Sequence, residues 1–531
     1  MSAPTSMVQS VEWAVIAPPV IAAAGALAVL AADLFLPEAR KRLLGPAAAA
    51  TLALALLALL PLRAGDRTTF CAPGGPDLCS YAADRFALTV QLLVLGGAFL
   101  TALLSLPGER ERRGHEGEFW FLLLSSASGA ALLPAARDLA TLVLALEVTT
   151  LPAYALVALR RGPGERGPEA ALTFFLSSIT ATAVSLLGIG FVYAGAGTLY
   201  LDEIAARLPG EAAPELATVV RAGVVLTLVG FVFKAAAVPF HFWVPDTYAG
   251  APLPVAGYLS VVGKAAGLAG LILVAVRAFP GYGGLWGPAV AVLAGLTMTV
   301  GNAAALRTDP EAPGSAIRLL AWSSVGQAGY LLVPVAAAAY EDTPGDAVGA
   351  ALAYGLMYAA VNLGAFAVAA HVARRSPAHR VADYRGLYAR RPLAALALAF
   401  FLLCLAGLPP GVIGLFAKVA VFATAVEAGL APLAVAMAVN VALALVYYLR
   451  WTALLFRGPE PAQAPAPADD DTAGETPRAT PAADVPEHPS EPLPERLPTP
   501  LTGAIALSAA LGLALSAAPQ LVLTLASGAI W

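Results

Sequence analysis

Fourteen apolar runs, most of them about 20 residues long, recur from one end of the chain to the other, and they limit the fold more than any other feature. A helix of that length crosses the roughly 30 Å hydrocarbon core of a bilayer. Bounded by Pro, Gly and charge, the runs cover about 13–35, 43–62, 84–106, 117–135, 138–159, 170–194, 219–243, 252–277, 284–306, 315–337, 347–372, 392–424, 430–456 and 501–528. Of 531 residues, 59% are apolar and 12% charged, against about 45–50% and about 25% in soluble domains. The expected fold is an all-α polytopic membrane protein with about 14 transmembrane helices. The first 12 residues hold no basic n-region, so the first run reads as a retained span and not a cleaved signal. The net charge of −4 and the lack of a basic, aromatic-laced patch give no sign of nucleic acid as a partner.

Three runs are disrupted. The twelfth would reach roughly 50 Å as one helix, too long for a single crossing. It contains "LAGLPPG" (Leu405–Gly411), so a broken helix is expected there. The seventh is interrupted at Pro239, and the eighth opens with Pro252 and Pro254. Irregular backbone at membrane depth survives only where protein or a water-filled cavity covers it, so these breaks predict an internal polar path.

Basic residues gather in alternate loops: Arg40/Lys41/Arg42, Arg110/Arg112/Arg113, Arg160/Arg161/Arg166, Arg307, then Arg374 through Arg391, and Arg450/Arg457. The positive-inside rule makes those loops internal and puts both termini outside. Cys71 and Cys79, in "FCAPGGPDLCSY", then fall in an outer loop where thiols oxidise, and a disulfide is expected there, with two unpaired thiols as the alternative. Cys404 reads as a small packing residue. The stretch Gly458–Pro500, rich in Pro, Ala and acid, offers no core and is expected to be a disordered inner loop.

The chain builds its positive charge almost wholly from arginine. Its four lysines are Lys41, Lys234, Lys264 and Lys418, and the last three stand in apolar runs. One acid, Glu147, lies at a span centre, while Asp84, Asp138 and Glu169 lie at span ends. A charge at a helix centre costs about 2.5–3.5 kcal/mol on insertion scales, so such residues are functional by default. Arginine stays charged at any working pH; a buried lysine can release its proton. A chain that prefers Arg elsewhere and Lys here fits proton transfer better than fixed charge. The alternative is a structural pair, with Glu147 locked to Lys234 to hold two helices together. Pro follows five residues after each member, at Pro152 and Pro239, which suggests a repeated backbone context with a freed carbonyl. His241 is a candidate relay or gate; a packed histidine at the membrane rim is the other reading. The hydroxyls Ser177, Ser178, Thr180, Thr182 and Ser185 make the sixth run polar, serving helix packing or proton conduction. No Cys/His cluster has metal-ligand spacing and no phosphate loop is present, so redox centres, if any matter, must belong to partners.

The segment "FKAAAVPFHFWVPDTYAGAPLPVAGYLSVVGK" (Phe233–Lys264) resembles the signature of antiporter-like proton-translocating subunits, found in respiratory complex I and in multisubunit cation/proton antiporters. "LALEVTTLPAYAL", "GFVYAGAGTLYLDEI", "RLLAWSSVGQAGYLL" and "LAGLPPGVIGLFAK" fall in that family's order and extend the resemblance over runs 4–12. "PDTYAGAP" is most similar to the branch in proton-pumping NADH–quinone oxidoreductase. The resemblance implies two inverted five-helix repeats with helices 7 and 12 broken: residues 1–116 hold helices 1–3, 117–277 the first repeat, 284–456 the second, 458–500 the inner loop and 501–531 helix 14. By position it implies that Glu147, Lys234, Lys264 and Lys418 carry protons. Gln327 stands where many relatives have His, which puts a central-axis role there in doubt.

The resemblance further implies a non-redox membrane-arm subunit, multi-pass in the cell inner (plasma) membrane. Sibling antiporter-like subunits would be its neighbours, and NADH, FMN, iron–sulfur clusters and quinone would belong to partner subunits. Two rival readings are a sodium/proton antiporter subunit of the same fold, which exchanges ions without NADH, and a scaffold whose buried charges only hold helices together.

Overall fold

The structure, a computed structural model, describes residues 11–72, 78–106, 116–159, 166–211, 214–376, 378–458, 499–520 and 524. Each expected run is helical. In chain order these are α1 (Ala17–Phe35), α2 (Leu44–Leu57), α3 (Arg85–Ser105), α4 (Glu116–Leu132), α5 (Leu139–Ala158), α6 (Gly167–Ala196) and α7 (Ala217–Lys234). The span Leu253–Ala278 is α8, followed by α9 (Gly283–Leu306), α10 (Ser315–Ala337) and α11 (Gly345–Ala373). The twelfth is split into α12a (Pro392–Ala406) and α12b (Val412–Glu427), then come α13 (Ala431–Phe456) and α14 (Thr499–Ala517). Thirteen described helical segments are long and apolar enough to cross a membrane, and the split pair makes up the remaining crossing.

The helix starts follow local chemistry. Asp84 caps α3 by accepting from the Ala87 amide at 2.9 Å, and Asp138 caps α5 through Thr141 at 2.8 Å. The core is built on α10, whose most apolar stretch is 94% buried. Helices α9, α11, α12b and α13 pack around it, and α8 joins them from the other half of the chain.

Two expectations are corrected. The prolines that open α8 do not disrupt it: Pro252 is the N-cap and Pro254 lies in the first turn, where a missing N–H costs nothing. The disruption lies deeper, as two π-helical stretches, Leu259–Gly263 and Leu273–Ala278, the first of which ends against Lys264. Such bulges frequently sit at functional sites. The repeated proline context also separates into two cases. Pro152 is carried inside an otherwise continuous α5, whereas α7 stops at Lys234 and the chain turns through Ala236 (φ 61°) and Pro239 before the short helix Trp243–Gly250.

Of the acids at the span ends, Asp84 and Asp138 are buried and Glu169 is exposed. Asp84 is buried and ion-paired with Arg137, which also donates to the carbonyls of Pro134 and Ala136 at 3.1 and 2.8 Å. Arg277 lies 3.8 Å from the same carboxylate and forms a two-bond fork with Asp202 at 2.7 and 2.9 Å. Burial lowers the pKa of Arg137 and Asp84 opposes that shift. Four charged groups thus tie together the end of the bundle where α3 and α5 begin and α8 finishes. At that end β1 (Arg67–Cys71) pairs antiparallel with β2 (Cys79–Ala83), and a Cys71–Cys79 disulfide closes the hairpin as expected. Cys404 is buried among packed helices. The expected inner loop, but for its edges, lies outside the described residues.

Candidate functional site

Lys234, Lys264 and Lys418 are 3%, 2% and 5% exposed, and each reaches a different kind of acceptor. Lys234 ends α7. Its Nζ donates to Tyr154 Oη on α5 at 3.1 Å and to Ser178 Oγ on α6, and Tyr154 in turn donates to Ser178. Hydroxyls both donate and accept, so this pair can solvate the amine in either protonation state. The rings of Tyr154, Phe233 and Phe174 stand 5.5, 5.6 and 5.9 Å from Nζ and present faces that favour a cation.

Glu147 and Lys234 form no ion pair among the described residues. Half-buried on α5, Glu147 accepts instead from Thr182 Oγ1 at 2.7 Å. Thr182 lies four residues after Ser178, one turn along the same face of α6. The two charges are therefore joined through hydroxyls of α6 and not locked together. The other hydroxyls of this helix have different tasks. Ser177 and Thr180 bond back to Thr173 and Leu176 carbonyls of their own helix, and Ser185 bonds the Thr227 carbonyl and the Gly230 amide of α7. Only Ser178 and Thr182 enter the site.

Lys264 follows the first π-helical stretch of α8. Its Nζ donates to both the carbonyl and the hydroxyl of Ser324 on α10, each at 2.6 Å. Tyr358 on α11 donates to the same hydroxyl at 2.7 Å. Against Lys234 lies a small cavity lined by Thr149, Thr150, Ser126, Tyr258, Phe174 and Trp243, among others. Helix α8 reaches the break because residue 267 is glycine: a side-chain carbon there would sit 2.7 Å from the Lys234 carbonyl carbon.

Lys418 lies on α12b. Its Nζ donates to the Leu405 and Ala406 carbonyls at 2.6 and 2.8 Å, at the end of α12a. In a continuous helix those oxygens would accept from residues 409 and 410. Both are proline and have no N–H. The "LPP" motif thus makes two orphan acceptors, and the lysine thirteen residues on from the first of them takes both.

His241, the candidate relay, lies between the α7 break and the short helix after it. Its ring is 5.7 Å from Trp322 on α10, and its Nδ1 is buried without a hydrogen-bond partner. It bonds to none of the three lysines. Two partners were not evident in the sequence. Tyr154 sits seven residues past Glu147, and its role shows only when α5 meets α7. Gln327 hydrogen-bonds to Tyr354, Tyr448 and the Leu405 carbonyl. Among the described residues, no group of His, Cys, Asp and Glu could hold a metal ion.

The family described as NADH:quinone oxidoreductase/Mrp antiporter, TM matches residues 136–444. NADH-quinone oxidoreductase subunit N 2 of Streptomyces griseus is 68% identical over 455 residues, covering 86% of this chain and 84% of that one. The subunit N of Salinispora tropica is 45% identical over 473 residues, covering 87% and 88%. A chain of Thermus thermophilus respiratory complex I with bound aureothin superposes with a TM-score of 0.72 at 32% identity, covering 96% of this chain and 100% of that one. A chain of the Mrp complex from a Dietzia species superposes at 0.78 with 23% identity and 96% coverage of each, a likeness of fold. With helices broken at α7 and α12 and buried lysines on α7, α8 and α12b, the chain belongs to the NADH:quinone oxidoreductase/Mrp antiporter membrane-subunit family and, within it, to the subunit N group of NADH-quinone oxidoreductases.

Proposed function

We propose that this chain is a proton-translocating membrane-arm subunit of NADH-quinone oxidoreductase, and that Glu147, Lys234, Lys264 and Lys418 carry the protons. The observation that supports it is the string of acceptors: three buried lysines, each held by hydroxyls or freed carbonyls, with no carboxylate fixed to any of them among the described residues. A structural pair needs a permanent counter-ion. A proton carrier needs partners that serve it charged and neutral.

Glu147 sits at the middle of α5 yet is only half-buried. A carboxylate at that depth cannot face hydrocarbon cheaply, so a neighbouring membrane-arm subunit covers it, and charge changes in that neighbour act on it. A shift at Glu147 moves Thr182, and through the next turn of α6 it moves Ser178 and the hold on Lys234. A proton leaving Lys234 passes toward Lys264 by way of the small cavity beside Lys234, which conducts only when water enters it. Positive charge arriving at Lys264 repels the proton held by Lys418, which is released on the far side. Carrying one charge through the full potential is worth about 2.3 kcal/mol per 100 mV, so Lys418 must be closed to the near side while it releases its proton and closed to the far side while it reloads.

The oxidation of NADH and the reduction of quinone, with FMN and iron–sulfur clusters, belong to partner subunits, and this chain contributes translocation. It spans the cell inner membrane many times with both termini outside, in keeping with its arginine-rich alternate loops. The domain division, two five-helix repeats over 117–277 and 284–456, is part of the same proposal: α7 and α12 break at equivalent places, each beside a buried lysine.

The test uses membranes holding the assembled complex, with NADH as donor and a pH-gradient dye. Lys234→Met, Glu147→Gln and Lys418→Ala each leave assembly intact and lower pumping by about tenfold or more. Lys234→Arg fails with them, since arginine keeps its charge but does not cycle. Full pumping in these variants removes the residues from the path; lost assembly with normal activity in what remains favours a scaffold.

A further inference from the structure

The proton path gives no task to Gln327, a residue only 1% exposed at the centre of α10. Its amide neither gains nor loses a proton in this range. Nε2 donates to Tyr448 Oη at 3.1 Å and to the Leu405 carbonyl at 3.4 Å, and Oε1 accepts from Tyr354. The orientation is fixed by chemistry, because a carbonyl oxygen only accepts and the NH2 must face Leu405. That carbonyl is also the nearer acceptor of Lys418, at 2.6 Å. One oxygen, freed by Pro409, is thus shared by the last lysine of the path and a residue that cannot titrate.

The partners of Gln327 lead back to Lys264. Tyr354 lies one turn before Tyr358 on α11, and Tyr358 donates to the Ser324 hydroxyl that holds the Lys264 amine. Tyr448 is 2.5 Å from Ser323 Oγ, the neighbour of Ser324 on α10. Helices α10 and α11 are therefore joined by two rungs, Ser324–Tyr358 at the Lys264 end and Gln327–Tyr354 at the Lys418 end.

We propose that Gln327 is a positioning residue that couples Lys264 to Lys418 through the shared Leu405 carbonyl, without carrying a proton itself. While Lys418 occupies the carbonyl, Gln327 holds it at long range. When the lysine leaves, the carbonyl turns to the amide. The planar amide moves as a unit, so Oε1 shifts against Tyr354 and Nε2 against Tyr448. The state of Lys418 reaches the α10–α11 rungs in this way, and any proton step near Gln327 runs through the Ser323–Tyr448 hydroxyls. A neutral imidazole at position 327 could accept from Tyr354 and donate to one of the other two partners, but would add a titrating site.

The inference rests on the proton path proposed above, and Lys418→Ala in the same membranes separates the two. In assembled complex, Gln327→Leu is expected to lower protons pumped per NADH by at least about threefold. Gln327→His restores more than half of that at pH 8. On acidification, once the imidazole takes up a proton, its cation competes with Lys418 and pumping declines, a step the parent protein lacks. Tyr354→Phe, which keeps the ring and removes one partner of the amide, gives a smaller loss in the same direction. Silent Lys418→Ala with normal yield and unchanged pH profile in Gln327→Leu overturns this inference alone; normal pumping in Lys418→Ala overturns the path and the inference with it. Where Gln327→Leu does not assemble, normal pumping in Tyr354→Phe together with an unshifted pH profile in Gln327→His overturns it.

Discussion

At the scale of single residues, the site depends on what stands beside each lysine as much as on the lysine. Gly407 ends α12a with φ 85°, a region costly to any residue with a Cβ. A Cβ there would also lie 3.1 Å from Lys418 Cδ and 3.4 Å from its Nζ, so the turn and the lysine both require glycine. Gly407→Ala is expected to cost about 1–2 kcal/mol of stability, from backbone strain. It should also push the amine off its carbonyls, so that pumping falls more than the loss of assembled complex explains. Thermal unfolding in detergent and the pH-gradient assay measure the two effects separately. Equal losses in both would reduce Gly407 to a helix terminator. Arg137 obeys the same logic away from the path: a buried cation persists because Asp84 and two carbonyls take up its terminal N–H groups.

At the scale of elements, the break in α12 is the feature on which the most depends. The two halves do not simply part; the first turn of α12b lies against the last turn of α12a at backbone contact. A Cβ at residue 414 would sit 1.8 Å from the Cys404 carbonyl oxygen, and one at residue 411 would sit 2.5 Å from Cys404 Sγ. That closeness brings Lys418 back onto the carbonyls of Leu405 and Ala406. Gly414→Val cannot be accommodated without separating the halves and should prevent assembly, whereas Gly295→Ala, whose nearest neighbour would be 3.8 Å away, should assemble normally. Blue-native gels of membranes carrying each variant decide it, and assembled Gly414→Val would mean that the halves are held less tightly than their contact implies. The positions of the breaks were legible in "LAGLPPG" and in the Pro239 segment, because proline acts on its own backbone. The π-helical stretches of α8 were not, since no residue type marks them and they arise where a helix adapts to its neighbours.

At the scale of the whole molecule, the three buried lysines occupy the middle of the bundle, and the Asp84–Arg137–Arg277–Asp202 group ties one end, where it joins loops that lie far apart in sequence. Residues 459–498 connect α13 to α14 and are almost purely Pro, Ala and polar residues, with too little apolar surface to form a core. Shortening that loop by about half leaves a connection reaching up to roughly 65 Å when extended, and loop entropy changes little. Assembly and pumping are expected to stay at the parent level. Failure to assemble would turn the segment into a docking element for a neighbouring subunit.

The sequence by itself determined the number of crossings, the places where two of them break and the small set of ionisable groups at membrane depth. Each of these depends on local facts: a run of side chains that must leave water, a proline without an N–H, a lysine inside an apolar stretch. Only the tertiary structure decided what each lysine is bonded to. Ser324 is 60 residues from Lys264 and Ser178 is 56 from Lys234, and nothing local distinguished Ser178 from Ser177. Gln327 read as a gap in the path because side-chain type was all the sequence displayed. Its place between Tyr354, Tyr448 and a freed carbonyl exists only after α10, α11, α12a and α13 have packed. Hydrogen bonds between helices are set by which faces meet, and that choice belongs to the packing of the whole bundle.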